Sequence, residues 1–297
     1  MAAFFVFCLS TAPHSLAWEL MQMRCPWNEL LSVLPTWMRR EVDELSRDTL
    51  QELRLRRGQP PELLCKNGKF SLKRKIAQED LSFVVNTASR YSPWAAATVG
   101  QGYITAPGGH RIGLCGEAVV QQGSMTGLRQ ISSLCIRIAR DFSGVADKLA
   151  CFHGSLLILG KPGSGKTTLL RDLIRVRGKN EHVAVVDERC ELFPATFAPE
   201  GYVDVLCGCG KPQGVELLLR TMSPDTIAVD EITSKADCEG LLHCGWCGVS
   251  LLATAHAASK LDFLSRPVYK PLADSGLFSH LVVLRSDKTW TVERMDV

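Results

Sequence analysis

Ser155-Leu156-Leu157-Ile158-Leu159-Gly160-Lys161-Pro162-Gly163-Ser164-Gly165-Lys166-Thr167-Thr168-Leu169-Leu170 decides the reading of this chain. It opens with an apolar run of strand length. Residues 160–167 then satisfy the pattern G-x-x-x-x-G-K-[ST], and apolar side chains at Leu169, Leu170, Leu173 and Ile174 follow with helical spacing. Strand, glycine-rich loop and helix in that order are the context a phosphate-binding loop requires. The glycines let backbone N–H groups close around phosphate oxygens without a Cβ in the way. The helix N-terminus adds partial positive charge. Candidate nucleotide-binding residues are therefore Gly160, Lys161, Pro162, Gly163, Ser164, Gly165, Lys166, Thr167 and Thr168. Lys166 is expected to reach the β- and γ-phosphates, and the Thr167 hydroxyl to hold Mg²⁺.

Working outward, Thr226-Ile227-Ala228-Val229 is a second apolar run, and it ends in Asp230-Glu231. Asp230 is the expected partner of Thr167 at Mg²⁺, and Glu231 is placed to polarise an attacking water. The alternative is that the acidic pair caps a helix starting at Ser234. Between the two motifs lies a further strand, Val183-Ala184-Val185-Val186, ending in Asp187-Glu188-Arg189. That extra strand points to P-loop ATPases rather than simple kinases or GTPases, and no N-K-x-D motif for guanine is present. Thr254 and His256 follow another strand, Val249–Thr254, as a sensor of the γ-phosphate would. Each of these residues is expected just past the carboxyl end of a strand, where open α/β sheets bind ligands.

The remaining chain divides by pattern. Residues 144–297 alternate strand and helix, as in a parallel sheet, and close with a hairpin about Ser286-Asp287-Lys288. Residues 24–143 read as a smaller α+β domain. Its helical spacing covers residues 27–50, through Trp27, Leu30, Leu31 and Leu34 and then Leu45 and Leu50, and returns over residues 79–91, where Pro93 stops it. Asn67-Gly68 marks a hairpin, and several short strands separated by glycine turns are expected between Gly100 and Ala139. Residues 1–23 are expected to be an unstructured extension, and Met21 and Met23 are each possible starts. The fold class is thus α/β, a P-loop core with a mainly parallel sheet, preceded by a small α+β domain.

Length and composition narrow the function. The 297 residues allow two domains, and 46% hydrophobic content supplies real cores for both. A net charge of +3, with no long basic stripe, gives no support for nucleic-acid binding. No apolar run approaches the roughly 18 residues a membrane span needs. The 12 cysteines do not form a disulfide framework in a chain whose phosphate loop implies the cytosol. Cys244 and Cys247 have metal or redox spacing, with Cys207 and Cys209 as possible partners, yet a helical C-x-x-C is more often a pair of packing thiols.

Three segments together carry a family resemblance. Asp187-Glu188-Arg189-x-Glu191, Ser223-Pro224-Asp225-x-Ile227-x-Val229-Asp230-Glu231-Ile232 and Ala253-Thr254-Ala255-His256 resemble the acidic, Walker B and histidine motifs of the ATPases of type II and type IV secretion. Residues 102–116 and 131–140, the P-loop with Thr168–Asp172, Val203–Leu206 and Arg266-Pro267 are similar to the stage III sporulation AA family of endospore-forming bacteria. The resemblance implies a hexameric ATPase using ATP and Mg²⁺. It would be cytoplasmic and held at the membrane by membrane proteins of a mother-cell-to-forespore channel. The family's functional positions fall on Lys166, Thr167, Asp230, Glu231 and His256, with an acidic role at Asp187, Glu188 or Glu191. Glu188 and Glu231 both stand as the catalytic carboxylate. Arg111, Arg129, Arg137 and Arg140 are candidates for an arginine acting on the γ-phosphate, with pairing to Glu117 as the plainer role for a strand arginine. Two departures stand out: Ile232-Thr233-Ser234-Lys235 after the acidic pair, and Cys207-Gly208-Cys209 where an acidic residue is expected. The first departure keeps a second reading open, a nucleotide-dependent assembly scaffold with little turnover.

Overall fold

The computed structural model describes residues 22–44, 47–89, 102–121, 123–194 and 197–295. The expectations for residues 1–21, for Leu45 and for Tyr91 and Pro93 lie outside the described residues; Gln22 and Met23, expected in the unstructured extension, instead begin a short strand, Gln22–Arg24. Two compact units are present: Arg24–Asp141 with Pro194–Phe197, and Phe142–Phe193 with Ala198–Val297.

The first unit contains α1 (Trp27–Val33), α2 (Thr36–Asp43) and α3 (Gln78–Ala88), with strands β2 (Leu50–Arg56), β3 (Glu62–Cys65), β4 (Gly68–Ser71), β5 (Tyr103–Thr105), β6 (Arg111–Gln121) and β7 (Ser124–Arg137). Two three-residue strands, β1 (Gln22–Arg24) and β8 (Asp141–Ser143), complete the elements up to residue 143. The sheet runs β4-β3-β2-β7-β6-β5, with every pairing antiparallel. Alternate residues bury one face, as a half-covered antiparallel sheet requires. Leu53, Leu55, Leu63, Ile112, Leu134 and Ile136 join Trp27, Leu30, Met38 and Leu81 in one core. Two sequence expectations change here. Leu50 does not continue a helix but starts β2, because Pro35 separates α1 from α2 and the chain turns after Asp43. The short strands expected from 110 to 138 are two long ones, in which Gly116 sits at a register shift rather than at a turn. A Cβ at Gly116 would meet the Ile131 Cα at 2.8 Å, so the glycine admits the partner strand.

The second unit is built on a seven-stranded sheet in the order β11-β10-β12-β13-β9-β14-β15. Its strands are β9 (Leu156–Gly160), β10 (Val183–Asp187), β11 (Val203–Cys207), β12 (Thr226–Ile232), β13 (Ser250–Ala255), β14 (His280–Leu284) and β15 (Trp290–Arg294). All pairings are parallel except β14 with β15. The helices are α4 (Lys166–Gly178), α5 (Lys211–Thr221), α6 (Lys235–Trp246), α7 (Lys260–Ser265) and α8 (Lys270–Asp274). Both faces of the sheet are covered, which is why its strands read as continuous apolar runs rather than alternating ones. Leu157, Leu159, Ala184, Val186, Ile227, Val229, Leu251 and Ala253 pack with Val215, Leu218 and Leu241 of α5 and α6. Leu156, Ile158, Val183, Val185, Ala228 and Leu252 face the other way, onto Leu169, Leu170, Leu173 and Ile174 of α4. Two strands, β10 and β11, lie in sequence between the P-loop strand and β12, where the apolar pattern alone marked one. β11 is half exposed and carries Asp204, so its pattern is weak.

Leu252 is fully buried in the middle of this sheet, against the helix that carries Lys166 and Thr167. Leu252→Ala is expected to lower unfolding free energy by about 2–5 kcal/mol through lost transfer energy and the residual cavity. Urea denaturation checks this, with a lower midpoint at unchanged slope as the expected result.

Candidate nucleotide-binding site

The parallel strands bring their carboxyl ends to one edge, and the candidate residues gather there. Gly160 ends β9, the loop 161–165 follows, and Lys166, Thr167 and Thr168 form the first turn of α4. Gly163 and Gly165 adopt φ values of +74° and +106°, a region an L side chain rarely occupies. A Cβ at Gly160 would lie 2.9 Å from the Leu284 carbonyl oxygen. The loop is therefore a backbone cradle that tolerates no added carbon at its start. Lys161, Pro162 and Gly163 are exposed, whereas Ser164 is buried and its Oγ has no hydrogen-bond partner. An orphaned, buried hydroxyl in a glycine-rich loop at a helix N-terminus fits an anionic ligand.

Sheet order sets what faces the loop. β13 lies between β9 and β12, so Thr254 and His256 stand between the P-loop and the acidic pair. The Thr254 hydroxyl donates to Asp230 Oδ1 at 2.7 Å and accepts the Glu231 N–H at 2.7 Å. The Thr167 hydroxyl donates to Asp230 Oδ2 at 3.1 Å. Thr167 and Asp230, the expected Mg²⁺ pair, are thus in direct contact. Hard oxygen donors of this kind suit Mg²⁺, which typically takes one or two protein oxygens together with substrate phosphates. Lys166 Nζ donates to the Lys161 carbonyl at 3.3 Å and to His256 Nδ1 at 3.0 Å. The ammonium has no lone pair, so Nδ1 is the acceptor and the proton of a neutral His256 sits on Nε2. That nitrogen pairs with Glu231 Oε1. Lys166, His256 and Glu231 form one line across the mouth of the loop. Burial pushes the Lys166 ammonium pKa down, opposed by Glu231 and Asp230.

Glu231 and Asp230 lie within β12, not beyond its end. The β12–β13 register shifts between Val229 and Ile232, and Glu231 takes a φ of +34°. A left-handed glutamate is strained, and such strain collects at functional sites. The bulge turns the acidic pair toward the P-loop edge while the strand continues to Ile232. The Tyr269 hydroxyl fixes the ends of both strands, donating to the Ile232 carbonyl at 3.1 Å and accepting the His256 N–H at 3.3 Å. The acidic pair does not cap the following helix. Ser234 does, accepting the Asp237 N–H at 3.1 Å, while Asp237 Oδ2 takes the N–H groups of Thr233 and Ser234. The departure at Thr233-Ser234-Lys235 is therefore a helix start.

The second acidic motif borders the same cleft, which is lined by Asp187, Glu188, Arg189, Glu191, Lys211, Asp230, Glu231 and Thr233. Asp187 is an organiser of its loop. Its carboxylate accepts the N–H groups of Glu191, Leu192 and Phe193 at 2.8, 2.9 and 3.0 Å. Burial raises its pKa to about 6, against those hydrogen bonds and with Asp230 adding to the rise. Glu188 pairs with Lys211 Nζ at 2.5 Å. Lys211 has no motif to mark it; it begins α5 and is buried, which only the tertiary contact reveals. Among the candidate arginines, Arg129 pairs with Glu117 at 2.5 Å, Arg111 lies over the Tyr103 ring at 4.4 Å, Arg137 lies 3.9 Å from Glu52, and Arg140 donates to the Arg47 and Leu50 carbonyls. Cys244 is buried in α6 with its thiol pushed up to about 12 by burial, whereas Cys247 is the exposed residue ending that helix. Among the described residues, no group of three or more His, Cys, Asp or Glu side chains is arranged to hold a metal ion.

The fold is that of a P-loop NTPase, and solved secretion and pilus ATPases share it. It is similar to the Legionella pneumophila ATPase DotB (TM-score 0.57, 17% identity, 88% of this chain and 80% of that one). It is similar also to the pilus retraction motor PilT (TM-score 0.58, 17% identity, 82% and 76%). In sequence, residues 27–293 match the model of the family described as Sporulation stage III, protein AA, and the chain belongs to that family. Its relative in Bacillus subtilis strain 168, Stage III sporulation protein AA, is 34% identical over 281 residues, covering 88% of this chain and 92% of the relative. The type IV pilus assembly ATPase TfpB of Acinetobacter baylyi is 28% identical over 115 residues, 38% of this chain and 19% of that protein.

The raised Asp187 pKa has a stability consequence. In the unfolded chain the carboxyl ionises near its ordinary value of about 4; in the folded protein it does so near 6. Between those values the folded state binds more protons, so its stability contribution falls as pH rises and is constant above about 6. Asp187→Asn lacks this loss. The melting temperature of the variant relative to wild type is expected to rise from pH 4 to pH 6 and then level off, measured by calorimetry without nucleotide or metal.

Proposed function

We propose that this protein binds and hydrolyses ATP, with Mg²⁺, as the oligomeric motor of a secretion-like complex in sporulation. The observation carrying this reading is the line Lys166–His256–Glu231 beside the Thr167–Asp230 contact, all within one unit at the mouth of the P-loop. Backbone N–H groups of residues 163–167 would cradle the phosphates, and Lys166 would exchange His256 for the β- and γ-oxygens. Mg²⁺ at Thr167 and Asp230 would neutralise charge on those oxygens. Glu231, released from Lys166's neighbour, would hold the attacking water, with His256 reporting whether the γ-phosphate is present. Glu231 is favoured over Glu188 as the catalytic carboxylate because Lys211 already neutralises Glu188.

Family membership supports the setting: a ring of copies, expected to be a hexamer, in the cytoplasm and held at the membrane by membrane proteins of the stage III channel. Among the described residues no helix is long and apolar enough to cross a membrane, so contact through partners fits. The small net charge favours no nucleic-acid partner. Residues 24–143 and 144–297 are read as the two domains of this motor, with the arginines of the first as candidates for completing a neighbour's site. The alternative, a nucleotide-dependent scaffold with little turnover, drew on Thr233-Ser234-Lys235. Those residues form the start of α6, with Ser234 as its cap.

Steady-state ATP hydrolysis against protein concentration tests the motor reading. Turnover per subunit is expected to rise with concentration and to vanish in Lys166→Ala. Zero turnover with measurable ATP binding would favour the scaffold. Glu231→Gln is expected to keep ATP binding and to slow hydrolysis by about 10²-fold or more, within the range for a positioned acid or base. The assignment fails if Glu188→Gln carries that loss and Glu231→Gln does not.

A further inference from the structure

The P-loop is flanked on both sides, and only one flank has a role in the reading above. β13 and β12 bring Thr254, His256, Asp230 and Glu231 to one side. On the other side lies β14, whose Leu284 pairs in register with Gly160, the first residue of the loop. The chain then turns at Arg285–Thr289 into β15. This turn is held rigidly. The Arg285 N–H donates to the Thr289 carbonyl at 2.8 Å, and the Lys288 N–H to the Arg285 carbonyl at 3.1 Å. Asp287 Oδ1 accepts the Thr289 N–H and hydroxyl at 2.9 and 2.7 Å, and Trp290 is buried behind it.

Lys288 is unusual in two independent respects. Its φ is +68°, a left-handed conformation in which glycine or asparagine is the ordinary choice. Its side chain reaches across to the P-loop, where Nζ donates to the Gly163 carbonyl at 2.5 Å. The same ammonium lies 3.9 Å from where a Cβ on Gly165 would be. Among the described residues it has no carboxylate partner, since the adjacent Asp287 is tied to Thr289. Half-burying a lysine without a counter-charge depresses its pKa and is unfavourable. A strained backbone that delivers an unneutralised cation onto a phosphate loop is explained by an anion that arrives there.

We infer that Lys288 is a second cationic ligand of the nucleotide, binding the part of the phosphate chain that ATP and ADP share. This rests on the reading of the loop as an ATP site and extends it to the opposite flank. The argument for the shared part is positional. Lys166, Asp230, Glu231 and His256 crowd the β12–β13 side, where the terminal phosphate and its metal belong. A group entering from β14 meets the chain on the opposite side, toward the nucleoside end. On binding, the ammonium leaves the Gly163 carbonyl, or shares it, for a phosphate oxygen, a charge-assisted contact stronger than the neutral one it replaces.

Isothermal titration of ATP and of ADP into full-length protein tests this with Lys288→Gln, Lys288→Gly and Lys288→Arg, beside Lys166→Ala. Glutamine keeps an N–H donor for the Gly163 carbonyl but removes the charge; glycine relieves the backbone. Lys288→Gln and Lys288→Gly are expected to weaken ATP and ADP by the same factor, about tenfold, with Lys288→Arg near wild type. Lys288→Gly without nucleotide is expected to melt above wild type, which separates lost binding from lost folding. Wild-type affinity in Lys288→Gln overturns the assignment and leaves Lys288 a brace for the loop. A loss confined to ATP overturns its placement at the shared phosphates. Absence of nucleotide binding by the wild type overturns the ATP reading itself, and the Lys288 assignment with it.

Discussion

The Thr254 hydroxyl is the contact on which the site depends. One oxygen donates to Asp230 and accepts from the Glu231 backbone. It does so because β13 is inserted between β9 and β12, so a residue at its end lies between the P-loop and the acidic pair. The bulge in β12 is the other half of this arrangement. It gives Glu231 the left-handed turn that frees its N–H for Thr254 and aims its carboxylate at His256. A strained residue is kept where three hydrogen-bonded neighbours over-determine it.

Electrostatics at this edge are balanced by pairing rather than by exposure. Five carboxylates, Asp187, Glu188, Glu191, Asp230 and Glu231, border one cleft. Four of them show separate answers to the crowding. Asp187 is met by three N–H groups, Glu188 by Lys211, Asp230 by two hydroxyls, and Glu231 by His256. Burial among them lowers the pKa of Lys166, and the negative charge of Glu231 and Asp230 opposes that fall. On the far flank Lys288 has no such counterweight. The loop thus lies between an acidic side and a cationic side.

Much of this was legible in residue order. The P-loop, the apolar strand runs and the acidic pair are local patterns: a glycine cradle needs glycine at fixed positions, and a strand buried on both faces must be apolar throughout. Lys166, Thr167, Asp230, Glu231 and His256 were each reachable from those patterns, and the structure gathers all five. Where the patterns misled, a nonlocal contact had intervened. Leu50 fits a helical face yet pairs with Cys65 in a strand. The glycines between 110 and 138 resemble turn markers, but Gly116 admits a neighbouring backbone inside one long strand. β11 escapes a hydrophobicity test because its outer face is exposed.

The sequence by itself determined that the chain carries a phosphate cradle and which strands would end in acidic and histidine side chains, because those features repeat with the short periods of strand and helix. Only the tertiary structure decided who meets whom at the edge. Lys211 on Glu188, Tyr269 across two strand ends and Lys288 on Gly163 join residues 23, 37 and 125 positions apart. Such contacts follow from sheet order, and sheet order is set by how helices cover two apolar faces at once. No local spacing encodes that choice; it is made by the packing of the whole unit.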